Sequence, residues 1–579
     1  MAVINSNNAQ LTFSNLPVGI QVTRVTDTSA DWPSVANSTY FYDKGDGLVH
    51  YKNSGGTVLE LFSAGGLTYF TEAQSTASPN ATVNVDSLTA ISATTNADVA
   101  IRPKGTGAIL AAIPDNAITG GNKRGDYSVD LQLSRSAANQ VVSGTYSFAA
   151  GSNNRVDAAY ATASGQGCIV TNNWATAIGR ANTASGDSSV ALGFNSTASN
   201  NRSIAIGESC NATGISTIAI GASNTSNISY ATAIGYLNTA SGSAAVAIGQ
   251  SNTISGNYGV GIGNLNTATD YSTALGKSNT VSSTLSGAMG NGNTHAAGAS
   301  YSFSVGRDNI ISAAATNSFV AGYNNTVSAD RSFAIGSGNT SSGGNAIALG
   351  INATASGAQS FAALNRAKAT GASSFAIGGY VYVDTTASGD NSVAIGAANT
   401  ASAMFGTAVG GYGNIASGIA SYANGNQANT FSIAGRQSRG YINTVSGDCQ
   451  KSEFYLSVRT TGNTASTATV NGGAASTSNQ VILSNQSAYR FKGTIIGKQS
   501  GSVNAAVWDI DGFIVRGANA AATTLNVSNV NLVQNTPAWG TPTLAADTTN
   551  GGLQVQVTGA TATNIQWTAV IETTEVIYA

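Results

Sequence analysis

Between residues 151 and 410 apolar and polar positions alternate in a short, recurring cycle. One copy reads Ser188-Ser189-Val190-Ala191-Leu192-Gly193. Three residues before the glycine stand Val190, Ile204, Ile218, Val246, Phe303, Phe333 and Phe375, and directly before it stand Ile178, Leu192, Ile206, Ile220, Ile234 and Ile248. Alanine fills the column between them, as Ala177, Ala191, Ala205, Ala219, Ala233 and Ala247. A period of two predicts a short β-strand with large apolar side chains on one face and alanine on the other. The spacing leaves open which face turns inward.

The cycle has a fixed length. Gly151, Gly165, Gly179, Gly193, Gly207, Gly221, Gly235, Gly249 and Gly263 follow one another at a constant interval, so the unit is a 14-mer with this glycine as its structural marker. The column continues through Gly276, Gly290, Gly306, Gly322, Gly336, Gly350, Gly378, Gly396 and Gly410 at less even intervals, and Leu364 takes the glycine position once. Three residues after the glycine Asn recurs, as at Asn182, Asn224, Asn238, Asn252 and Asn266, and it opens Asn-Thr-Ala-Ser-Gly at 182–186 and 238–242. Gly and Asn tolerate positive φ, and Asn and Ser side chains cap turns. Each 14-mer therefore reads as strand, turn, second short segment, turn. Identical columns line up when such units stack as parallel coils, about 4.8 Å apart. The predicted class is all-β: a parallel β-roll over 146–447. A thin coil hides one apolar face within itself. The other needs a cover, and three chains around an axis supply it.

The flanks differ from the repeat. Five of the seven prolines fall at 17, 33, 79, 103 and 114. Thr39–Tyr42 and Leu48–Tyr51 around Asp46-Gly47 read as a hairpin, and Val58–Phe62 as a further strand. This predicts a small β-rich domain over 1–115 and a connector over 116–145. From 448 to 579 the pattern is that of an all-β, sandwich-like domain. Ala506–Ile510 and Phe513–Arg516 flank Asp511-Gly512, a hairpin signal, and Leu553–Val557 and Ile565–Val570 alternate cleanly.

Composition narrows the function. Charged residues are 9% of the 579, against roughly 25% in an ordinary globular chain. With 24 basic and 26 acidic residues the net charge is −2, which argues against a nucleic-acid partner held by a basic surface. The first residues carry no Lys or Arg ahead of an apolar run, so no secretory signal is expected. Cys168, Cys210 and Cys449 are too few, and odd in number, for a disulfide framework, and fit synthesis in a reducing cytoplasm. Cys168 and Cys210 stand three coils apart, roughly 14 Å, beyond the ~7 Å reach of a disulfide, and are expected to stay reduced.

The motif Ser-x-Ala-Ile-Gly-x-x-Asn-Thr-Ala-Ser-Gly resembles the head repeat of trimeric autotransporter adhesins of the YadA type, over roughly 145–447. The resemblance implies a left-handed parallel β-roll assembled as a homotrimer. The same repeats occur in bacteriophage fibres. Ala100–Leu110 and Asn122-Lys123-Arg124-Gly125 resemble the segment that precedes such repeats in phage tail fibres and tail spikes. The C-terminal domain is similar in placement and composition to the knob of phage fibres. These resemblances imply a virion tail fibre. Its N-terminal region would dock on tail or baseplate proteins, and its distal region would bind a host cell-surface receptor, a glycan. The alternatives are a bacterial trimeric surface adhesin, a collar or neck fibre, and a polysaccharide-degrading tail spike.

Candidate contact residues are few. Trp508, Trp539 and Trp567 read as sugar platforms or as core, and Tyr380 and Tyr382 as a protruding ligand loop or as an extra packed segment. No catalytic set emerges. Acids between 151 and 435 are scattered, with no pair at strand spacing for sugar cleavage, and two His give no Ser-His-Asp arrangement. His50 and His295 have no second ligand nearby in sequence, and Asp509-Ile510-Asp511-Gly512 lacks the later ligands of a calcium loop. The expectation is a protein without catalysis, metal or cofactor.

Overall fold

The structure is a computed structural model. It describes residues 98–380, 382–441, 445–536 and 538–578, and before them 22–26, 39–43, 48–60, 70–75, 85–90 and residue 96. The chain divides into two compact units, Met1–Lys104 and Gly105–Ala579. In the first, Thr39–Asp43 pairs antiparallel with Leu48–Lys52 in the register expected of the hairpin, and Leu48–Lys52 pairs with Val58–Glu60. The Asp46-Gly47 turn itself, and Leu61 and Phe62, lie outside the described residues. Val22–Thr26 adds in parallel to Thr39–Asp43, and Phe70–Ser75 forms a separate pair with Val85–Ala90. Residues 105–115 group with the second unit, where Ile109–Leu110 pairs in parallel with Val129–Ser134.

Each coil of the roll supplies one longer strand and one strand of two or three residues, such as Val190–Phe194 and Thr197–Ala198. Long strands pair in parallel, column on column: Val190 with Ile204, Ala191 with Ala205, Leu192 with Ile206, Gly193 with Gly207. The short strands form a parallel sheet of 19 strands, from Arg155–Val156 to Ile415–Ala416.

The alanine face turns inward. Ala191, Ala205 and Ala219 are fully buried against Ala184, Ala198 and Ala212 of the opposite sheet. A 14-residue coil leaves little room between its two sheets, so a large inward side chain is matched by a small one, whereas Ile311 and Val320, both buried at facing positions, are accommodated where the interval lengthens between Gly306 and Gly322. Ile254 is buried opposite Gly261, where a Cβ would stand 2.1 Å from the isoleucine Cδ1. His295, also fully buried, faces Ser304 in the alanine column and shares a 2.7 Å hydrogen bond with it.

Beside this apolar seam runs a buried asparagine ladder. The Nδ2 of Asn238 donates to the Ile234 carbonyl of its own coil at 2.9 Å and to the Gly249 carbonyl of the next at 2.7 Å. Its Oδ1 accepts from the Asn252 backbone N at 3.0 Å. One amide thus uses both donors and its acceptor, which is what lets a polar group sit inside so thin a core. Cys168 and Cys210 occupy two rungs, buried and free of any disulfide.

The column glycine is fixed by close approach. Gly221 has φ 119°, and a Cβ there would lie 2.0 Å from the Gly235 carbonyl oxygen of the next coil. Leu364 obeys the same rule by exception. The strand Phe361–Asn365 pairs with Phe375–Ile377 only as far as Ala363 opposite Ile377. The next coil departs at Gly378 and Gly379 into the longest interval, so its backbone does not close over the leucine.

Buried ion pairs cap the roll at both ends. At the first, Asp130 accepts from Arg124 Nε at 2.6 Å and from Arg135 Nη2 at 3.3 Å. At the second, Arg436 pairs with Glu575, which also accepts from Gln450 Nε2 at 2.8 Å. Here the roll continues into the C-terminal domain without a break. Gln437–Gly440 pairs in parallel with Tyr422–Gly425 and antiparallel with Cys449–Thr460. The antiparallel sheet then runs Cys449–Thr460, Ile565–Ile577, Ser487–Gln499, Ala505–Arg516, Thr523–Thr536. A second, smaller sheet forms around Gly552–Thr558. Between them lie Phe454, Leu456, Tyr489, Phe491, Leu553 and Val555.

The expected hairpin at Asp511-Gly512 is absent. Ala505–Arg516 is one 12-residue strand passing straight through it. Gly512 is there for space: a Cβ would stand 2.3 Å from the Phe491 ring packed over it. Asp511 faces out and pairs with Arg490 at 2.8 Å.

Candidate binding surfaces

With alanine inside, the large apolar residues of the long strands face out. Ile178, Ile262, Met289, Phe333 and Ile335 are each about two-fifths exposed (40–44%). This stripe recurs on most coils at the positions one and three before the column glycine, and the coil of Gly165, with Thr162 and Ser164 there, interrupts it.

A second exposed column lies five residues before the glycine, where every coil carries a positive φ. Tyr127, Tyr146, Tyr160 and Trp174 occupy it on successive coils, roughly half exposed. Their ring centroids are 4.8, 5.3 and 5.7 Å apart and their planes lie within 10° of parallel. Tyr258 and Tyr271 repeat the stack at 5.1 Å. Tyr146, Tyr160 and Trp174 keep the interval of the glycine column, and that was the available sequence signal. It is masked because the same column also holds Ser188, Arg202 and Ala244.

Tyr380 and Tyr382 protrude, at 59% and 84% exposure. Tyr380 and Val383 exchange two backbone hydrogen bonds of 3.2 Å, which closes the loop on itself; Val381 lies outside the described residues. The base of the loop is held by Asp384, which accepts from Arg366 Nε at 2.8 Å and pairs with Lys368. Partial burial raises the Asp384 carboxyl, but hydrogen bonds and charge from Lys368 and Arg366 outweigh it and leave it below the ordinary carboxylate range.

The three C-terminal tryptophans are core residues, which corrects the sugar-platform reading. Trp508, Trp539 and Trp567 are at most 5% exposed. They occupy inward positions, with ring centroids of Trp508 and Trp539 at 5.9 and 5.6 Å from Trp567. The Trp567 indole N–H donates to Thr460 Oγ1 at 2.9 Å. Alternation of strand residues is equally regular on both faces, so the sequence did not tell inward tryptophan from outward. Nearby, burial and then the charge of Glu575 push the Tyr489 hydroxyl up to about 12. Among the described residues no three His, Cys, Asp or Glu side chains gather as a metal site.

The coil geometry has a counterpart among known families. The YadA head domain repeat (2 copies) matches residues 175–196, 184–207, 212–237, 229–252, 313–339, 341–363 and 387–412. The roll is similar to YadA heads. Every matched segment lies between the two capping ion pairs, and the C-terminal domain is outside the match. No curated protein matches the chain.

Proposed function

We propose that the chain is the subunit of a homotrimeric adhesive fibre. The observation that carries this is the apolar stripe on the outer face of the long strands. Covering the exposed part of one such side chain is worth on the order of 1 kcal/mol, and the stripe repeats that gain on most coils. Two further copies of the same stripe are the cover of matching length and register. The similarity to YadA heads supports the same arrangement. Light scattering on the full chain is expected to give three times 57.8 kDa; a mass of 57.8 kDa at micromolar concentration overturns the reading.

On this reading the fibre belongs to a bacteriophage virion, docked by its N-terminal region on tail or baseplate proteins. It holds a host glycan through its distal region, without catalysis. Support comes from the 100–125 segment and its likeness to phage fibres. Three equivalent weak sites on one stiff support raise avidity over single-site affinity. A bacterial surface adhesin is the second reading, favoured by the repeat match itself. Gold label on the C-terminus, viewed on purified virions and on outer membranes, separates the two; label at the virion neck assigns a collar fibre. Release of reducing ends from host polysaccharide by the purified trimer would overturn the non-catalytic assignment.

A further inference from the structure

The C-terminal domain has six basic residues, Lys451, Arg459, Arg490, Lys492, Lys498 and Arg516. Four are committed to partners. Lys451 and Lys492 reach Glu572 at 2.8 and 3.4 Å, and Arg490 reaches Asp511. Arg516 Nη1 donates to the carbonyls of Leu483 and Gly551 at 2.7 and 3.2 Å. Arg459 and Lys498 have no carboxylate partner among the described residues, and both line one cleft of about 550 Å³. No carboxylate lines it.

The cleft is built by strand register. Gln566 on Ile565–Ile577 lies between Arg459 on one neighbouring strand and Lys498 on the other, so the three stand in a row on the outer face of the sheet. This is the end of Cys449–Thr460 that overhangs the roll, whose last strand covers only Gln450 to Glu453. Gln566 Oε1 accepts from Arg459 Nε at 2.7 Å, which orients the guanidinium and leaves both Nη groups for a ligand. Lys498 Nζ is steadied by the Gln499 carbonyl at 3.1 Å and by the Ser502 carbonyl. Thr461, Ser500 and Asn564 complete the wall with neutral hydrogen-bonding groups.

We propose that this cleft binds the carboxylate of an acidic sugar on a cell-surface glycan. The paired Nη groups of Arg459 match the two coplanar oxygens of a carboxylate, Lys498 adds a second positive charge, and the hydroxyl and amide wall suits sugar hydroxyls. The proposal rests on the adhesive reading above for the glycan being on a cell.

The test is calorimetric binding of trigalacturonate to the full-length protein. Its methyl ester and inorganic phosphate serve as comparison probes. The wild type is expected to bind the acid and not the ester, more weakly as salt rises. Arg459→Gln is expected to lose about tenfold or more in affinity, and Lys498→Gln about threefold. Arg459→Lys, which keeps the charge but not the fork, falls between wild type and Arg459→Gln. Lys277→Gln, an exposed cation on the roll, leaves binding unchanged. Melting temperature and trimer mass of the Arg459 variants are expected to match the wild type. Equal binding of the ester, tighter binding of phosphate, or full affinity in Arg459→Gln overturns the proposal. Cell attachment is scored separately. Attachment without trigalacturonate binding sinks the cleft and spares the adhesive reading; trigalacturonate binding lost in Arg459→Gln without any attachment by the wild type does the reverse.

Discussion

The roll and the C-terminal domain share one continuous sheet yet solve burial in opposite ways. The roll buries alanine and asparagine in columns, and each coil depends on the copy above and below it. The C-terminal domain buries Trp508, Trp539, Trp567, Phe454 and Phe491 in a single cluster assembled from strands far apart in sequence. Stability in the first is a sum of near-identical neighbour terms, and in the second a collective property of one core. A lesion in the roll is therefore local but has no slack to absorb it. A lesion in the C-terminal domain spreads through every strand that touches the cluster.

The sharpest way to break this contrast is at a column glycine. Gly221→Val puts a side chain into the Gly235 carbonyl at a positive φ, and the lesion recurs in every chain of an assembly. A loss of at least ~3 kcal/mol is expected, against less than about 0.5 kcal/mol for Ser223→Asn, since Asn tolerates the positive φ found there. Thermal melting reads both; equal melting temperatures would contradict the close-approach account.

Next comes aromatic burial. Trp508→Ala is expected to cost about 3–5 kcal/mol, and Trp174→Ala, at the exposed end of the ring ladder, about 0.5–1.5 kcal/mol. Near-ultraviolet circular dichroism during melting should show the transition of the C-terminal domain moving in the first variant and staying put in the second. Similar costs would mean that the ladder is buried in the assembled protein.

His295 gives the roll a pH dependence that begins near neutrality. Burial lowers its pKa from 6.5 to about 4. The unfolded chain therefore binds the proton first, and stability is full above pH 6.5, falls as pH drops through the window, and levels off below about 4. The loss is on the order of 3 kcal/mol per chain. Val281 with Ala288 fills the equivalent inward positions of the preceding coil, so His295→Val with Ser304→Ala should remove this step from a stability–pH profile. An unchanged profile would assign the step elsewhere.

The smallest expected effect is a gain. Cys210→Asn restores a rung of the ladder, with the Ile206 and Gly221 carbonyls already in place for its amide. About 1 kcal/mol of added stability is expected from denaturant titration. A loss would mean that the rung is shaped to the thiol.

Periodicity made the roll legible before any coordinates. Gly221 and its equivalents set coil length and register, and Asn238 and its equivalents marked the turn between the long and the short strand. The orientation of the strand was not legible, because period two is symmetric between faces and only the narrow gap between sheets decides for alanine. In the C-terminal domain, Asp511-Gly512 carried a strong local turn signal that Phe491, on the neighbouring strand, overrides by packing over the glycine. The cleft was hidden for the same reason. Arg459, Lys498 and Gln566 come from three strands, and no spacing along the chain announces them.

The strands of the roll lie across the direction in which the coils stack, with hydrogen bonds pointing along it. A pull in that direction loads those bonds in tension, a few at a time, instead of shearing a whole sheet at once. Each coil that peels away exchanges about 4.8 Å of stacked height for roughly 45 Å of extended chain. A single chain stretched in an optical trap is expected to give a sawtooth with steps near that length. An adhesive anchored through such a stack would dissipate a sudden tug by paying out slack, coil by coil, before the tip lets go.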